Sequence, residues 1–222
     1  MKKIVLIVAG GSGTRMNSEI PKQFIEIAGM PVLMHTFYAF YQMRKDFEFV
    51  LVLPKLQFEN WRLLCLKHNF QIKHSIVPGG ETRFDSVKNG LDFISENGIV
   101  LIHDAVRPFV SESTINSCID CAISTGNALP VVPVADSVRI VNGTDNKAAD
   151  RSQIFLVQTP QTFRIDLIKN AYFKATGNNF TDDATVLENT GVSINLVAGN
   201  RENIKITTPA DLPIAEALLK SK

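Results

Sequence analysis

The chain has 222 residues, 45% of them hydrophobic, which is enough apolar sequence to bury a full core. Its net charge is only +1, so no overall field attracts nucleic acid or an anionic membrane, and any anion must bind at a local site. No apolar run reaches the length of a membrane span, and the short run after Met1 leads directly into a glycine-rich loop. We therefore expect no cleaved signal and a cytoplasmic location.

The first predicted strand, residues 4–8, breaks into a glycine-rich turn. The turn reads Ala9-Gly10-Gly11-Ser12-Gly13-Thr14-Arg15-Met16, and Pro21-Lys22-Gln23 follows. Glycines let backbone N–H groups approach an anion that a Cβ would obstruct, and Arg15 and Lys22 add two cations. A polyphosphate undergoing displacement requires this combination. The loop therefore predicts a catalytic nucleotide site, and the alternative is a tight turn with both cations solvated.

Two commoner glycine loops do not fit this turn. A P-loop would need a glycine followed by Lys and Ser or Thr where the chain has Arg15 and Met16. A dinucleotide fingerprint that begins at Gly11 would need its third glycine at Met16. The sequence thus favours another kind of nucleotide site.

As far as about residue 130, apolar runs alternate with helical patterns. Continuously apolar strands separated by helices predict a mainly parallel, twisted sheet with helices on both faces, in a single Rossmann-like α/β domain over residues 1–222. Such sheets bind ligands at the carboxyl ends of their strands. The predicted strands are 4–8, 47–53, 71–77, 98–102 and 127–132, and the predicted helices are 32–43, 58–68, 82–94 and 111–125.

A second glycine motif, Gly79-Gly80-Glu81-Thr82-Arg83-Phe84-Asp85-Ser86-Val87, follows the third predicted strand. Two glycines that open a helix offer free N–H groups and a helix dipole to an anion or a base edge. Arg83 and Ser86 lie three residues apart, so they share one face of that helix. The alternative is a strand–helix turn in which Arg83 forms a surface salt bridge.

The fourth predicted strand leads into His103-Asp104-Ala105-Val106-Arg107-Pro108. A carboxylate at the end of a central parallel strand is well placed to hold Mg²⁺ on a nucleotide phosphate. Arg107 could bind a second phosphate in a bidentate manner. The alternative is an internal ion pair between Asp104 and Arg107. We interpret His103 as a packed or hydrogen-bonded histidine rather than a base.

The pattern changes after residue 134. Residues 136–141 alternate like a half-buried strand, Asn142-Gly143 predicts a type I′ turn, and a polar stretch leads to a strand at 154–157. A long hairpin is not stable alone. We therefore predict a projecting β-arm, at about residues 136–158, that packs against another subunit. The rest of the chain predicts helices at 165–175, after 181 and from 209, and strands at 193–197 and near 203–206.

Three later motifs complete a series of seven: Thr159-Pro160-Gln161, Thr181-Asp182-Asp183 and Asn203-Ile204-Lys205-Ile206-Thr207. In this order, the seven resemble the 2-C-methyl-D-erythritol 4-phosphate cytidylyltransferases of the non-mevalonate isoprenoid pathway, over nearly the whole chain. The chain departs from the family's pattern at Val106, which is usually alanine, and at Ser137, which is commonly threonine. Both positions lie near the expected sugar-phosphate pocket.

The resemblance implies transfer of a cytidylyl group from CTP to 2-C-methyl-D-erythritol 4-phosphate with release of pyrophosphate, assisted by Mg²⁺, in a homodimer. It implies catalytic roles for Arg15, Lys22, Arg151 and Lys205, with Arg151 supplied by the partner's arm. It implies nucleotide contacts from Ala9, Gly10, Gly11, Gly13, Gly80, Glu81, Arg83, Ser86 and Ala105. It implies that Asp104 binds Mg²⁺ and that Asp104, Arg107, Ser137, Arg151, Thr181 and Lys205 surround the acceptor.

Two alternatives stay open. Ribitol-5-phosphate cytidylyltransferases share the motif order, and a non-catalytic module that binds CTP would use the same loops. The residues favour transfer, because a phosphate monoester is already an anionic nucleophile and the task is positioning and charge neutralisation. Asp182 and Asp183 are equally well interpreted as helix-capping acids.

Overall fold

The computed structural model describes residues 1–10 and 20–221. The strands in these ranges are β1 (Lys2–Val8), β2 (Glu26–Ile27), β3 (Met30–Pro31), β4 (Phe47–Leu53), β5 (Ser75–Pro78), β6 (Gly98–Asp104), β7 (Asn127–Pro133), β8 (Arg139–Asn142), β9 (Asp145–Ala148), β10 (Phe155–Val157), β11 (Gln161–Arg164) and β12 (Leu196–Ala198). The helices are α1 (Val32–Tyr41), α2 (Phe58–Lys67), α3 (Arg83–Phe93), α4 (Glu112–Thr125), α5 (Ile165–Lys174), α6 (Asp183–Glu188) and α7 (Asp211–Lys220).

The main sheet has the strand order β10-β7-β11-β6-β1-β4-β5, and β12 also pairs with β7. Strands β6, β1, β4 and β5 run parallel, and β12 is parallel to β7. Strand β11 lies antiparallel between β6 and β7, and β10 is antiparallel to β7. The predicted mainly parallel α/β sheet is confirmed.

Each face of the sheet is covered by helices, which explains why its strands are apolar without interruption. On β1, Val5 and Ile7 belong to a core cluster with α1, α2 and α4. The intervening Ile4, Leu6 and Val8 belong to a second cluster with α3, α5 and α6. The predicted helices on both faces are therefore confirmed.

Some predicted boundaries are wrong. The strand predicted at 71–77 is formed only as β5, and the strand predicted near 203–206 is not formed. In that segment Ile206 makes one backbone hydrogen bond, from its N–H to the carbonyl of Val106 at 2.9 Å. Helix α7 begins at Asp211 rather than 209, because the carboxylate of Asp211 accepts from the backbone N–H groups of Thr207 and Thr208.

The predicted β-arm contains a hairpin of β8 and β9 that is separate from the main sheet. Every side chain of these two strands is exposed. The last pair is Asn142 with Asp145, so Gly143 and Thr144 form the loop. Of these two, only Gly143 has positive φ, +59°, whereas a type I′ turn needs positive φ at both central residues. The predicted type I′ turn is therefore wrong, and glycine at the first central position fits type II′.

Candidate active site

A cavity of about 540 Å³ opens at the carboxyl ends of β1, β4, β5 and β6. The parallel register brings Val8 beside Asp104 on one neighbour and beside Val52 on the other, so the loops after these strands meet at one edge. The cavity thus lies where a parallel sheet is expected to bind its ligand. The predicted site residues that line it are Ala9, Gly10, Lys22, Gly80, Glu81, Arg83, Asp104, Ala105 and Lys205.

The start of α3 forms one wall of this cavity. Thr82 caps the helix, because its hydroxyl accepts from the N–H of Asp85 while the Asp85 carboxylate accepts from the N–H of Thr82. The buried Ser86 hydroxyl donates to the carbonyl of Thr82 and accepts from the N–H of Gly80, at 2.9 and 3.1 Å. Ser86 therefore braces the glycine turn from inside.

The loop after β1 approaches this wall closely. A Cβ on Gly10 would lie 2.7 Å from Ser86 Oγ, so glycine is what allows the two loops to touch. The N–H of Ala9 donates to the carbonyl of Val52, and Gln23 donates to the carbonyl of Ala9. Lys22 begins a short 3₁₀ turn at the cavity wall. The predicted residues Gly11, Gly13 and Arg15 lie outside the described residues.

Asp104 lies at the centre of a cluster of cations. Its Oδ2 atom is 3.0 Å from both Arg107 Nε and Lys205 Nζ, and its Oδ1 atom is 4.0 Å from Arg83 Nε. Burial by itself would raise the pKa of this carboxyl, but Lys205, Arg83 and Arg107 outweigh burial and hold the pKa well below its ordinary 3.8. Asp104 is therefore ionised at neutral pH. The internal Asp104–Arg107 ion pair is formed, and Lys205 joins it.

A second cavity, of about 320 Å³, adjoins the first and shares Arg83, Asp104 and Lys205 with it. Arg107 and Thr181 also line this cavity. The structure thus brings four predicted acceptor-binding residues, Asp104, Arg107, Thr181 and Lys205, to one place. The shared wall means that ligands in the two cavities would lie next to each other.

Arg83 is fixed by a partner that the sequence analysis treated only as a possible cap. Asp183 is fully buried and accepts two hydrogen bonds from the Arg83 guanidinium, at 3.0 and 2.6 Å, and a third from the Tyr172 hydroxyl at 2.6 Å. Burial by itself would lower the pKa of Arg83, but the carboxylates of Asp183 and Asp104 outweigh burial and raise the pKa above its ordinary value. The capping role falls to Asp182, which accepts from the N–H of Thr185. The interpretation as a helix-capping acid is thus confirmed for Asp182, whereas Asp183 is the counter-ion of Arg83.

His103 and Asn203 lie behind the Asp104 cluster, Thr159 lines the smaller cavity beside it, and all three are buried. Burial lowers the pKa of His103 to about 4, so its imidazole is neutral. Both ring nitrogens of His103 are hydrogen-bonded, to the carbonyl of Arg107 and the hydroxyl of Thr159, which confirms its interpretation as a hydrogen-bonded histidine. The sequence analysis assigned no role to Thr159, Asn203 or Tyr172; the motif order was the one available signal for the first two.

Two predicted site residues lie on the arm. Ser137 and Arg151 are exposed, and neither is among the described residues that line the two cavities. The Arg151 guanidinium donates to the carbonyl of Ala135 at 3.0 Å. Within one chain, therefore, the structure does not bring these two residues to the cluster around Asp104.

The donor set around Asp104 can be tested for its fit to Mg²⁺. In the part of the chain that the structure describes, there is no group of three or more His, Cys, Asp or Glu residues that could hold a metal. Mg²⁺ does not need such a group when one carboxylate and the substrate phosphates share the ligation. Among residues 1–10 and 20–221, Oδ2 of Asp104 is paired with Arg107 and Lys205, and Oδ1 is paired with the more distant Arg83 alone. Oδ1 therefore fits a cation brought by a nucleotide.

A glycine-lined cavity with fixed cations at the ends of parallel strands is typical of enzymes that transfer nucleotidyl groups. The chain belongs to the 2-C-methyl-D-erythritol 4-phosphate cytidylyltransferase family, whose sequence model matches residues 3–221. The protein of this name from Bacteroides fragilis is 51% identical over 219 residues, which are 99% of this chain and all of that protein.

Solved structures agree with this assignment. The crystal structure of 4-diphosphocytidyl-2C-methyl-D-erythritol synthase from Anaerococcus prevotii matches with a TM-score of 0.85 and 29% identity, over 99% of this chain and 96% of that one. The 2-C-methyl-D-erythritol 4-phosphate cytidylyltransferase from Thermus thermophilus matches with a TM-score of 0.80 and 32% identity, over 99% and 100% of the two chains. No helix within residues 1–10 and 20–221 is long and apolar enough to cross a membrane.

Proposed function

We propose that this chain transfers the cytidylyl group of CTP to 2-C-methyl-D-erythritol 4-phosphate in its two adjoining cavities. The observation that carries the proposal is their shared wall of Arg83, Asp104 and Lys205. A nucleotide in the larger cavity and a phosphate in the smaller one would meet at this wall. Membership of the cytidylyltransferase family supports the choice of both substrates.

The reaction forms one bond and breaks one. A phosphate oxygen of the acceptor attacks the α-phosphorus of CTP, and the bond from that phosphorus to the oxygen bridging to the β-phosphorus breaks, so that pyrophosphate leaves. No side chain has to remove a proton, because the attacking phosphate is already an anion. Lys22, on the wall of the larger cavity, stabilises the charge that develops on the triphosphate, and Arg15 is assigned the same role.

The smaller cavity binds the acceptor phosphate through Arg107 and Lys205. A guanidinium has five N–H groups, and Arg107 gives one to Asp104 and one to the carbonyl of Asn203. The remaining donors can bind a phosphate oxygen. Thr181 lines the same cavity and is exposed, so its hydroxyl can contact the polyol.

The larger cavity selects the nucleotide. The Ser86 hydroxyl is engaged within the protein, so Ser86 acts on cytosine through the turn it braces, and the backbone of Gly80 and Glu81 makes the direct contacts. Ala9, Gly10, Gly11, Gly13 and Ala105 are assigned to the nucleotide, mostly through backbone atoms. A site that hydrogen-bonds one base edge discriminates against an analogue that leaves its polar groups unpaired.

Mg²⁺ is part of the proposal, with Asp104 Oδ1 as its protein ligand. Bound there with the nucleotide, the ion would neutralise phosphate charge and orient the triphosphate. Arg107 and Lys205 keep Oδ2 engaged, so the carboxylate presents its other oxygen to the cation. This ionised carboxylate is available at neutral pH because its pKa is lowered.

The β-arm is assigned to a homodimer in which Ser137 and Arg151 complete the smaller cavity of the neighbouring chain. The arm carries exposed apolar side chains, in its hairpin and in β10, that a partner would bury. These are Ile140, Val141, Phe155, Leu156 and Val157, which are 41% to 69% exposed. A cytoplasmic location belongs to the same proposal.

The test is a pyrophosphate-release assay with CTP and Mg²⁺, in which methylerythritol phosphate, ribitol phosphate and glycerol phosphate are supplied in parallel with a control without acceptor. We expect release with methylerythritol phosphate and a strong preference for CTP over UTP. Preference for ribitol phosphate would change the acceptor. Equal use of UTP would contradict the assigned base pocket, and no release with any acceptor would favour a CTP-binding module.

A further inference from the structure

A closed ring of hydrogen bonds joins three separate parts of the chain behind the smaller cavity. The ring connects Arg107, His103, Thr159 and Asn203, and in it each residue bonds to the next. Arg107 and His103 come from the end of β6, Thr159 lies just before β11, and Asn203 belongs to the segment that leads to Lys205. Three of the four are fully or almost fully buried: His103, Thr159 and Asn203.

The geometry fixes which ring nitrogen of His103 carries the hydrogen. Nε2 lies 2.9 Å from the carbonyl oxygen of Arg107, which can only accept, so Nε2–H must donate. Nδ1, 3.0 Å from the Thr159 hydroxyl, then accepts from that hydroxyl. The same hydroxyl oxygen accepts from the N–H of Asp104 at 3.1 Å. The Phe40 ring packs edge-on against the imidazole, with centroids 4.9 Å apart, and holds its plane.

Asn203 closes the ring on its other side. Its side-chain Nδ2–H donates to the backbone carbonyl of Thr159 at 2.8 Å, and its backbone carbonyl accepts from the Arg107 guanidinium at 2.7 Å. Arg107 is therefore held at both ends, through its backbone carbonyl by His103 and through its guanidinium by Asn203. The Nε–H of the same guanidinium donates to the carboxylate of Asp104 at 3.0 Å.

We propose that His103 is a positioning residue for the acceptor: its Nε2–H tautomer sets the turn that carries Asp104 and Arg107 against Thr159, and so aims the free donors of Arg107 into the smaller cavity. This inference rests on the proposed function, because it takes that cavity as the acceptor site. His103 is fully buried and does not touch substrate. It acts through Arg107 and Thr159.

Three substitutions separate the two bonds of the imidazole. Glutamine can place an N–H near the position of Nε2, asparagine can place an acceptor near Nδ1, and leucine does neither. His103→Leu should raise the KM for the acceptor about 10-fold or more, since small displacements of a binding group cost large factors. His103→Gln should keep the acceptor KM close to the wild-type value and His103→Asn should raise it by an intermediate factor, whereas the KM for CTP should rise less than the acceptor KM in all three variants.

A matched control comes from the same core cluster, where His74 packs against Phe37 and Trp61. His74 is also hydrogen-bonded through both ring nitrogens, to Trp61 and to the carbonyl of Ile72, and does not line either substrate cavity. His74→Leu should lower the melting temperature and leave the acceptor KM unchanged. If His103→Leu behaves in the same way, its role is merely structural and the proposal is overturned.

A double-mutant cycle tests whether His103 acts through Thr159. Thr159→Val removes the hydroxyl that joins His103 to Asp104, so each single variant breaks the same chain of bonds. The double variant with His103→Leu should raise the acceptor KM no further than the more severe single variant. Fully multiplicative effects on KM would overturn the coupling.

A readout without turnover keeps this inference separate from the proposed function. NMR of the wild-type protein labelled with ¹⁵N-histidine should show His103 as the Nε2–H tautomer. An Nδ1–H tautomer in a protein that turns over CTP and the acceptor would overturn the positioning role and leave the proposed function standing. A wild-type protein that uses no polyol phosphate would instead overturn the proposed function, whichever tautomer His103 has.

Discussion

The cations around Asp104 are paired with carboxylates of the protein itself. Asp183 takes the Arg83 guanidinium, and Asp104 takes Arg107 and Lys205. Asp183 thereby weakens the electrostatic attraction between Arg83 and Asp104. The Nε atom of Arg83 lies 4.0 Å from Oδ1 of Asp104. The two carboxylates have different roles. Asp183 stabilises the wall of the cavity, and Asp104 remains near the proposed meeting place of the phosphates.

The substitution Lys22→Ala tests the role assigned to the lysine on the wall of the nucleotide cavity. Losing one preorganised charge donor should lower kcat by about 10²-fold or more, with little change in the free energy of unfolding. Lys174→Ala, on the exposed end of α5, is the control and should leave kcat unchanged. Near-normal turnover of Lys22→Ala would contradict a transition-state role.

How far single residues could be predicted depended on the range of their partners. Asp104, Arg107 and Lys205 were assigned to one site from motif order, and in the structure Arg107 Nε and Lys205 Nζ each lie 3.0 Å from Asp104 Oδ2. The buried bonds from Tyr172 to Asp183 and from Thr159 to His103 join residues of different elements. No local pattern in the sequence specifies such long-range pairs, so their roles were not predicted.

His74 should make the protein less stable in mild acid. The imidazole accepts a hydrogen bond from Trp61 and is partly buried, and this burial lowers its pKa below the ordinary 6.5. As the pH falls below 6.5, the unfolded chain therefore binds a proton that the folded protein excludes. Stability is then lost until the pH reaches the lowered folded pKa. His74 lines a third cavity, separate from the two substrate cavities. The charged residues that line this cavity with it are Glu48, Lys73 and Glu96.

Urea unfolding followed by the fluorescence of Trp61, the one tryptophan of the chain, measures this effect between about pH 7.5 and pH 5. His74→Gln, which does not titrate, should show a shallower loss of stability over this range. An unchanged slope in the variant would assign the acid sensitivity to other groups.

Among the elements, the strands buried on both faces were predicted best. Residues 47–53 were predicted as a strand and form β4 without change, because six of the seven positions, all but Glu48, are apolar or aromatic and leave few alternatives. Strand β11 was missed, although it lies between β6 and β7. It has four residues and an arginine at its end, and it continues in the direction of β10, since both strands are antiparallel to β7. Its place depends on its neighbours more than on its own sequence.

The glycine turn before α3 gives an element-scale prediction with an internal control. A Cβ on Gly80 would lie 2.3 Å from Asp85 Cβ and 3.0 Å from its backbone carbon, so Gly80→Ala must displace the start of the helix. We expect a loss of about 1–3 kcal/mol in the free energy of unfolding and a raised KM for CTP. A Cβ on Gly79 meets Ser86 Oγ at 3.2 Å, so Gly79→Ala should cost less. Urea unfolding and CTP kinetics measure the two effects. Equal losses of stability and equal KM values for CTP in the two variants would contradict the role of the turn.

At the scale of the whole molecule, one chain forms the cavities but leaves its arm without a core. The β8–β9 hairpin is exposed at every position, and a two-stranded hairpin is marginal in water by itself. Arg151 is at the base of this arm, in contact with Ala135 of the same chain. A second chain that covers the arm would give the exposed apolar side chains a partner and would bring Arg151 to a site.

If two arms exchange in this way, the dimer is the catalytic unit, and mixing two inactive variants should restore activity. Arg151→Ala and Lys22→Ala chains should each be inactive alone, but a mixed dimer has one site in which both residues are intact. With random exchange about half of the dimers are mixed, so activity should approach about a quarter of the wild-type value. Lys22→Ala mixed with the double variant Lys22→Ala/Arg151→Ala is the control, because no dimer in it contains an intact Lys22. A fully active monomer in sedimentation, or no recovery despite proven subunit exchange, would rule out the shared site.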